Sequence, residues 1–232
     1  MIEEPPKLII RRAFPRPTQA QIDAFAGVQT GFLCDAMGGS GAMAPVIQPM
    51  GGGGDLPPHA HGPAVVADNG PAEYLATMGA MHICQPGDII VAAVAGHMGA
   101  GVVGDQICGI MRNCGCAAFV TDGPVRDHDG IIAAGLPVWC AGLSPNSPFS
   151  NGPGRAGFGA VVGGRQVDSG DMVVADRDGV VVVPFAQIDA VIAQLDAIRG
   201  LEAELEAKVK AGLSDMGRIS AMLENGSAVF VD

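Results

Sequence analysis

Residues 85–127 read QPGDIIVAAVAGHMGAGVVGDQICGIMRNCGCAAFVTDGPVRD. QPGD at 85–88 is a turn, since proline presets φ and glycine accepts either sign of it. Ile89–Val94 is a continuous apolar run of strand length, the pattern of a strand buried on both faces. A glycine-rich loop follows over 96–104. Asp105 can start a helix with Ile107, Ile110 and Met111 at i, i+3 and i+4, and Gly115 can end it. Ala117–Thr121 is a second apolar strand, and DGPVRD is a polar turn. If the two strands are parallel and joined by this helix, the loops that leave them share one sheet edge. In open α/β sheets ligands bind at that edge.

Working outward, Ala64–Ala67 reads as a strand and Glu73–Cys84 as a helix with Leu75, Met78 and Ile83 toward one face. Residues 1–17, rich in proline and arginine, read as an extended N-terminal arm. Thr18 can cap a helix through Ile22, Phe25 and Ala26. Residues 38–63 read as loop, with the tract Gly51–Gly54 inside it. Downstream, Leu136–Ala141 is a strand, 142–157 a loop, and Ala160–Val167, Met172–Ala175 and Gly179–Val183 are β segments. A long amphipathic C-terminal helix is expected over 185–211, with Ile188, Val191, Ile192, Leu195 and Ile198 as its stripe and Gly200 as a place to bend. Strands alternating with helices, then a β-rich segment, predict an α/β fold, with 18–232 as a single domain.

The chain has 232 residues, 48% of them hydrophobic, enough for a sizeable core. Glycine supplies 35 residues and proline 17, with no collagen-like period. A net charge of −11 and 4% aromatics argue against nucleic-acid binding. No apolar stretch is long enough to span a membrane, and the start of the chain does not read as a signal peptide. Cys34, Cys84, Cys108, Cys114, Cys116 and Cys140 sit mostly among apolar neighbours and read as reduced structural thiols. A cytoplasmic location is expected.

Gly99-Ala-Gly101-Val-Val-Gly104 spells G-x-G-x-x-G after a strand and before a helix, with Asp122 near where a ribose-binding acid would stand. Three features weigh against a dinucleotide site. Gly96-His97-Met98 separates the strand from the first glycine, Asp105 puts an acid where pyrophosphate would sit, and Asp122 begins a turn.

A different constellation fits better. Asp105 is followed after twenty residues by Arg126-Asp127, on loops at the same sheet edge. Carboxylate oxygens suit a hard divalent cation, an arginine stabilises developing oxyanion charge, and free amides at a helix start hold a carboxylate. Together they suit a 2-oxo acid. Gly99, Gly101 and Gly104 would let backbone approach such a ligand. Asp129 stands either beside the site or in a solvated loop. His97 lies in the same glycine loop. His59-Ala-His61 has alternate spacing within a Pro/Gly loop, which suggests surface histidines.

Asp105…Arg126-Asp127 matches a D-x20-R-D signature, and with FLCDAMG at 32–38, QPGDIIVA at 85–92, FVTDGPVRD at 119–127, LPVWCAG at 136–142 and SGDMVVADRDGVVVVP at 169–184 the chain resembles the family of the regulator of ribonuclease E activity A (RraA) and the 4-hydroxy-4-methyl-2-oxoglutarate aldolases. The match covers about 30–230. The resemblance implies a class II, metal-dependent lyase that cleaves a 4-hydroxy-2-oxo diacid to pyruvate, with oxaloacetate decarboxylation at the same site. It implies Asp127 as the Mg2+ or Mn2+ ligand. Asp105 would orient metal-bound water and assist proton transfer, and Arg126 would contact the 2-oxo oxygen. Amides near Gln106 and Ile107, beside Gly101 and Gly104, would hold the substrate carboxylate. It further implies Glu202 contributed by a neighbouring subunit, assembly as a homotrimer or homohexamer, and a fold like the swivelling β/β/α phosphohistidine domain. Some family members are non-catalytic regulators that bind protein, the alternative reading. The chain departs from the family at Pro71-Ala-Glu-Tyr74, where a substrate-contacting asparagine is usual; Asn69 is a candidate to replace it.

Overall fold

A computed structural model describes residues 4–231. Residues 1–3 of the expected arm, and Asp232, lie outside the described residues. Within the expected arm, Leu8–Ile10 form β1. Thr18 and Gln21 form a reciprocal capping box on α1 (Gln19–Asp23), shorter than expected. α2 (Thr30–Ala36) has no side-chain cap from its own N-cap residue, Gln29, and so carries no local start signal. Its cap comes from far away in sequence: Asp176 accepts the Thr30 amide at 2.8 Å and the Thr30 hydroxyl at 2.7 Å. The stretch expected as loop contains β2 (Gln48–Pro49) and a 3-10 turn over Met50–Gly53. β3 (Ala60–Asp68) begins earlier than its apolar core suggested. His61 lies within β3 and is half-buried, a correction to its reading as a surface loop residue; His59, in the loop just before the strand, is also half-buried, with the two ring centroids 5.7 Å apart.

The remaining elements are α3 (Leu75–Met81), β4 (Ile89–Ala93), α4 (Asp105–Asn113), β5 (Ala118–Thr121), β6 (Pro124–Val125), α5 (His128–Ala134), β7 (Val138–Cys140), β8 (Gly142–Leu143), β9 (Gly154–Ala156), β10 (Gly159–Val162), β11 (Arg165–Asp168), β12 (Met172–Ala175), β13 (Val180–Val183), α6 (Ile188–Lys210) and α7 (Arg218–Glu224). α5, α7 and the short strands β8 and β9 depart from the sequence reading. α6 runs unbroken through Gly200.

The main sheet runs β1-β9-β3-β4-β5-β7-β2. β3, β4, β5 and β7 are parallel and adjacent in chain order. One face of this sheet packs Val65, Ala67, Ile90, Ala92 and Phe119 against Ala76 and Ala80 of α3, Cys108 and Met111 of α4, and Ile131 of α5. The opposite face packs Ala64, Val66, Val91 and Val120 against the β10–β11 hairpin and β12–β13. The alternation follows from the two-residue period of a strand. β12 pairs antiparallel with the first half of β3, so that strand serves both sheets. The outer face of β12–β13 packs on Phe25, Leu33 of α2 and Ile188, Val191 and Leu195 of α6. The result is a mixed α/β fold, with all three crossover helices on one side. The loops after β4 and β5 therefore emerge side by side.

Candidate active site

The two loops are bonded to each other. The Val102 amide donates to Pro124 O at 2.8 Å, and the Arg126 amide donates to Val103 O at 3.0 Å. A third segment lies alongside. The Ala141 and Ser144 amides donate to Gly123 O and Val125 O, both at 2.9 Å, and the Gly101 amide donates to Asn146 O at 2.9 Å. Asn146 Nδ2 donates to Gly99 O at 2.8 Å, clamping the glycine loop from its far side.

Three glycines make this packing possible by lacking a β-carbon. At Gly101 one would meet Ser144 O at 2.9 Å and the Arg126 amide at 3.1 Å; at Gly104 it would overlap Asp127 Oδ2 and reach Arg126 Nε at 3.1 Å. At Gly130 of α5 it would meet Asp105 Cβ at 2.6 Å. The starts of α4 and α5 thus press together and bring Asp105, Arg126 and Asp127 to one corner.

Arg126 Nε lies 3.3 Å from Asp127 Oδ2, and its Nη1 donates to Ser147 Oγ at 2.6 Å. Asp127 sits at the start of α5 in the left-handed region, φ 60°, yet its carboxylate caps no helix amide. Such a backbone costs a non-glycine residue on the order of 1–3 kcal/mol and is worth connecting to function when found. Its side chain is 41% exposed, so the carboxylate is both aimed at the corner and open to solvent. Asp105 is half-buried, and its Oδ1 accepts the Gln106 amide at 2.7 Å. Gln106 itself is exposed, with Nε2 on Asp105 Oδ2 at 3.3 Å. In this arrangement the Gln106 amide is taken by Asp105, and Ile107 supplies the next amide of the helix start.

The donor set fits a hard cation. Among the described residues no cluster of three or more His, Cys, Asp or Glu surrounds a common point. Asp127, with Asp105 beside it, instead offers carboxylate oxygen and open solvent, the way Mg2+ is held by one or two carboxylates while keeping several waters.

A family model, described as RraA-like: Aldolase/RraA, matches residues 30–182. The chain belongs to the RraA-like family. A Halalkalibacterium halodurans protein named "Putative 4-hydroxy-4-methyl-2-oxoglutarate aldolase" is 30% identical over 210 residues, 89% of this chain and 97% of that one. An uncharacterised Pseudomonas syringae protein of known structure superposes with a TM-score of 0.75 at 22% identity, over 87% of this chain and 93% of that one. Streptomyces coelicolor RraAS2, described as an unusual member of the RNase ES inhibitor RraA protein family, superposes with a TM-score of 0.70 at 24% identity, over 87% of this chain and all of that one.

Other expected residues of this RraA-like chain lie elsewhere. Glu202 is exposed on the part of α6 beyond its last buried residue, Leu195, and α6 packs on α2 and the far sheet, away from α4 and α5. Asp122 is no ribose acid: its two oxygens accept the Val94 amide at 2.8 Å and the Gly96 amide at 3.0 Å, stapling the glycine loop to β5. Asn69 is not free to meet a ligand, since it exchanges two hydrogen bonds with Thr77, at 2.9 and 3.0 Å. Asp129 is solvated and bonds His128 Nδ1 at 2.9 Å. His97 is half-buried, with its ring against Gly99. The Gly51 end of the unexplained glycine tract lies beside His128, where a β-carbon would meet its Nε2 at 3.4 Å. No sequence signal marks Ser147, Asn146 or Gly130. SPNSP at 144–148 carries no periodicity, and Gly130 gains meaning only from the contact of two helices.

Proposed function

We propose that this protein is a divalent-metal-dependent aldolase that cleaves a 4-hydroxy-2-oxo diacid, such as 4-hydroxy-4-methyl-2-oxoglutarate, to pyruvate, and that the same site decarboxylates oxaloacetate. The observation that carries the reading is the meeting of Asp105, Arg126 and an uncapped, left-handed Asp127 around Gly104.

Asp127 would hold Mg2+ or Mn2+, with Asp105 beside it; the cation supplies Lewis-acid stabilisation of enolate charge. Amides at the start of α4 take the substrate carboxylate. Arg126, held by Ser147 and Asp127, donates to the 2-oxo oxygen, where negative charge grows as the C3–C4 bond breaks. Asp105 assists in removing the C4 hydroxyl proton and in returning a proton to C3 of the pyruvate enolate. Loss of carbon dioxide from oxaloacetate leaves the same enolate, so one corner serves both reactions.

Glu202 completes the site from a second copy of the chain. Leu201, Val209 and Met216, all more than half exposed on the C-terminal segment, support assembly as a homotrimer or homohexamer. The sheet with helices on one face and β-hairpins on the other supports the likeness to the swivelling β/β/α phosphohistidine domain. A cytoplasmic protein acting on a small 2-oxo acid, without nucleic-acid or membrane partners, is the matching setting. Among the described residues, no helix is long and apolar enough to cross a membrane.

The net charge of −11 favours a second reading, a non-catalytic regulator that binds a basic protein. The two separate on Arg126→Ala. That change abolishes pyruvate release in the first reading and leaves partner binding intact in the second.

A further inference from the structure

The edge of the sheet opposite the active site carries three thiols. Cys84 follows α3, and Cys114 and Cys116 follow α4. Two backbone hydrogen bonds zip these connections together, Gly87 N–H to Gly115 O and Ala117 N–H to Asp88 O, both 2.8 Å. The Cys84 amide donates to Ala80 O at 2.9 Å and the Cys116 amide to Met111 O at 3.0 Å, so each backbone is anchored. Within this frame the Cys116 thiol donates to Cys84 Sγ across 3.6 Å. Cys84 and Cys114 are partly exposed and Cys116 is buried, so a small molecule meets Cys84 first.

We propose that Cys84 and Cys116 form a peroxide-reactive dithiol, with Cys84 as the attacking sulfur and Cys116 as the resolving one. The Cys84 thiolate displaces one oxygen of a hydroperoxide: an S–O bond forms, the O–O bond breaks, and the leaving oxygen takes a proton and departs as water or an alcohol. The peroxide is reduced by two electrons and Cys84 becomes a sulfenic acid. Cys116 sulfur then attacks Cys84 sulfur. The S–S bond forms, the S–O bond breaks, and the hydroxyl leaves as water with the Cys116 proton. Two thiols and one hydroperoxide give one disulfide, one water and one water or alcohol; a dithiol reductant restores the pair.

The electrostatics agree with these roles. The Cys116 hydrogen bond, the largest influence, brings the Cys84 thiol down to about 7, with Cys114 helping, against burial and the Asp88 charge. Arg16 pairs with that carboxylate at 2.8 Å. Cys116 moves strongly upward as the donor, as a thiol that keeps its proton. The other four move upward chiefly through burial, Cys108 to about 12. A thiolate near neutrality beside a protonated thiol is the arrangement that attacks and is then resolved.

The test is a non-reduced peptide map of the intact protein after stoichiometric hydrogen peroxide. Two of six thiols should disappear, a Cys84–Cys116 linked peptide should appear, and dithiothreitol should reverse both. Cys84 should react at least about tenfold faster than any other cysteine. Cys116→Ser should yield a Cys84 sulfenic acid trapped by dimedone and no disulfide. Reaction of Cys84 at the rate of Cys34, or linkage to Cys114 in place of Cys116, overturns the assignment. The wild-type map decides this without any variant having to fold.

Discussion

Gly104 and Asp127 share one corner of the fold so closely that a β-carbon on residue 104 would overlap Asp127 Oδ2. The nearest atom belongs to a short side chain at the surface, so the protein can yield by moving the carboxylate. Gly104→Ala should therefore fold with little change in melting temperature. It should lose about a hundredfold in kcat, the scale for a group displaced by about an ångström. Thermal melts beside steady-state kinetics check the separation.

Arg126 is gripped at two points, Asp127 at 3.3 Å and Ser147 at 2.6 Å. Ser147→Ala should cost about tenfold in kcat/KM, the scale of one charge-assisted hydrogen bond. Arg126→Lys cannot make both contacts and should cost about a hundredfold or more. On an Arg126→Ala background the serine change should add nothing, because its effect passes through the guanidinium.

Buried Asp122 holds the Val94 and Gly96 amides. Asp122→Ala strands both donors and should destabilise the chain by about 2–4 kcal/mol in urea unfolding. Calorimetry with nicotinamide dinucleotides should show no binding to the wild type, since this carboxylate is already occupied.

Burial, and secondarily His59, lowers the pKa of the His61 side chain from its usual value near 6.5. The unfolded chain then binds the proton more readily than the folded one, so stability rises with pH across that interval. This contribution is present above about 6.5 and is lost as pH falls through the lowered folded value. His61→Gln should flatten that part of the stability profile measured by urea unfolding from pH 7 downward.

Glu202 tests the shared site. Asp127→Asn and Glu202→Gln should each be inactive. Refolded together they should regain activity, because a site with Asp127 from one chain and Glu202 from another is then whole. If both residues served from one chain, every site would keep a lesion and the mixture would stay silent.

Much of this was legible beforehand because local chemistry set it. Ile89–Val94 and Ala117–Thr121 are strand-length apolar runs, and both are parallel strands of the main sheet. The spacing of Asp105 to Arg126-Asp127 implied convergence because a crossover helix returns the chain to the same edge. What stayed hidden was set by distant contacts. α2 draws its cap from Asp176, and Asp122, read as the start of a turn, also holds the Val94 and Gly96 amides more than twenty residues back. Glu73, in the stretch that departs from the family, proved a buried anchor accepting the Tyr74, Leu75, Asn151 and Gly152 amides, and no local pattern announces a partner almost eighty residues on.

The most direct test of the central claim is pyruvate release from 4-hydroxy-4-methyl-2-oxoglutarate and from oxaloacetate, with Mg2+ or Mn2+, in wild type and Asp127→Asn. The account predicts release by the wild type that a chelator stops and added metal restores, and none from the variant. Absence of metal-dependent cleavage of any 4-hydroxy-2-oxo diacid or oxaloacetate, or full activity in Asp127→Asn, would contradict it.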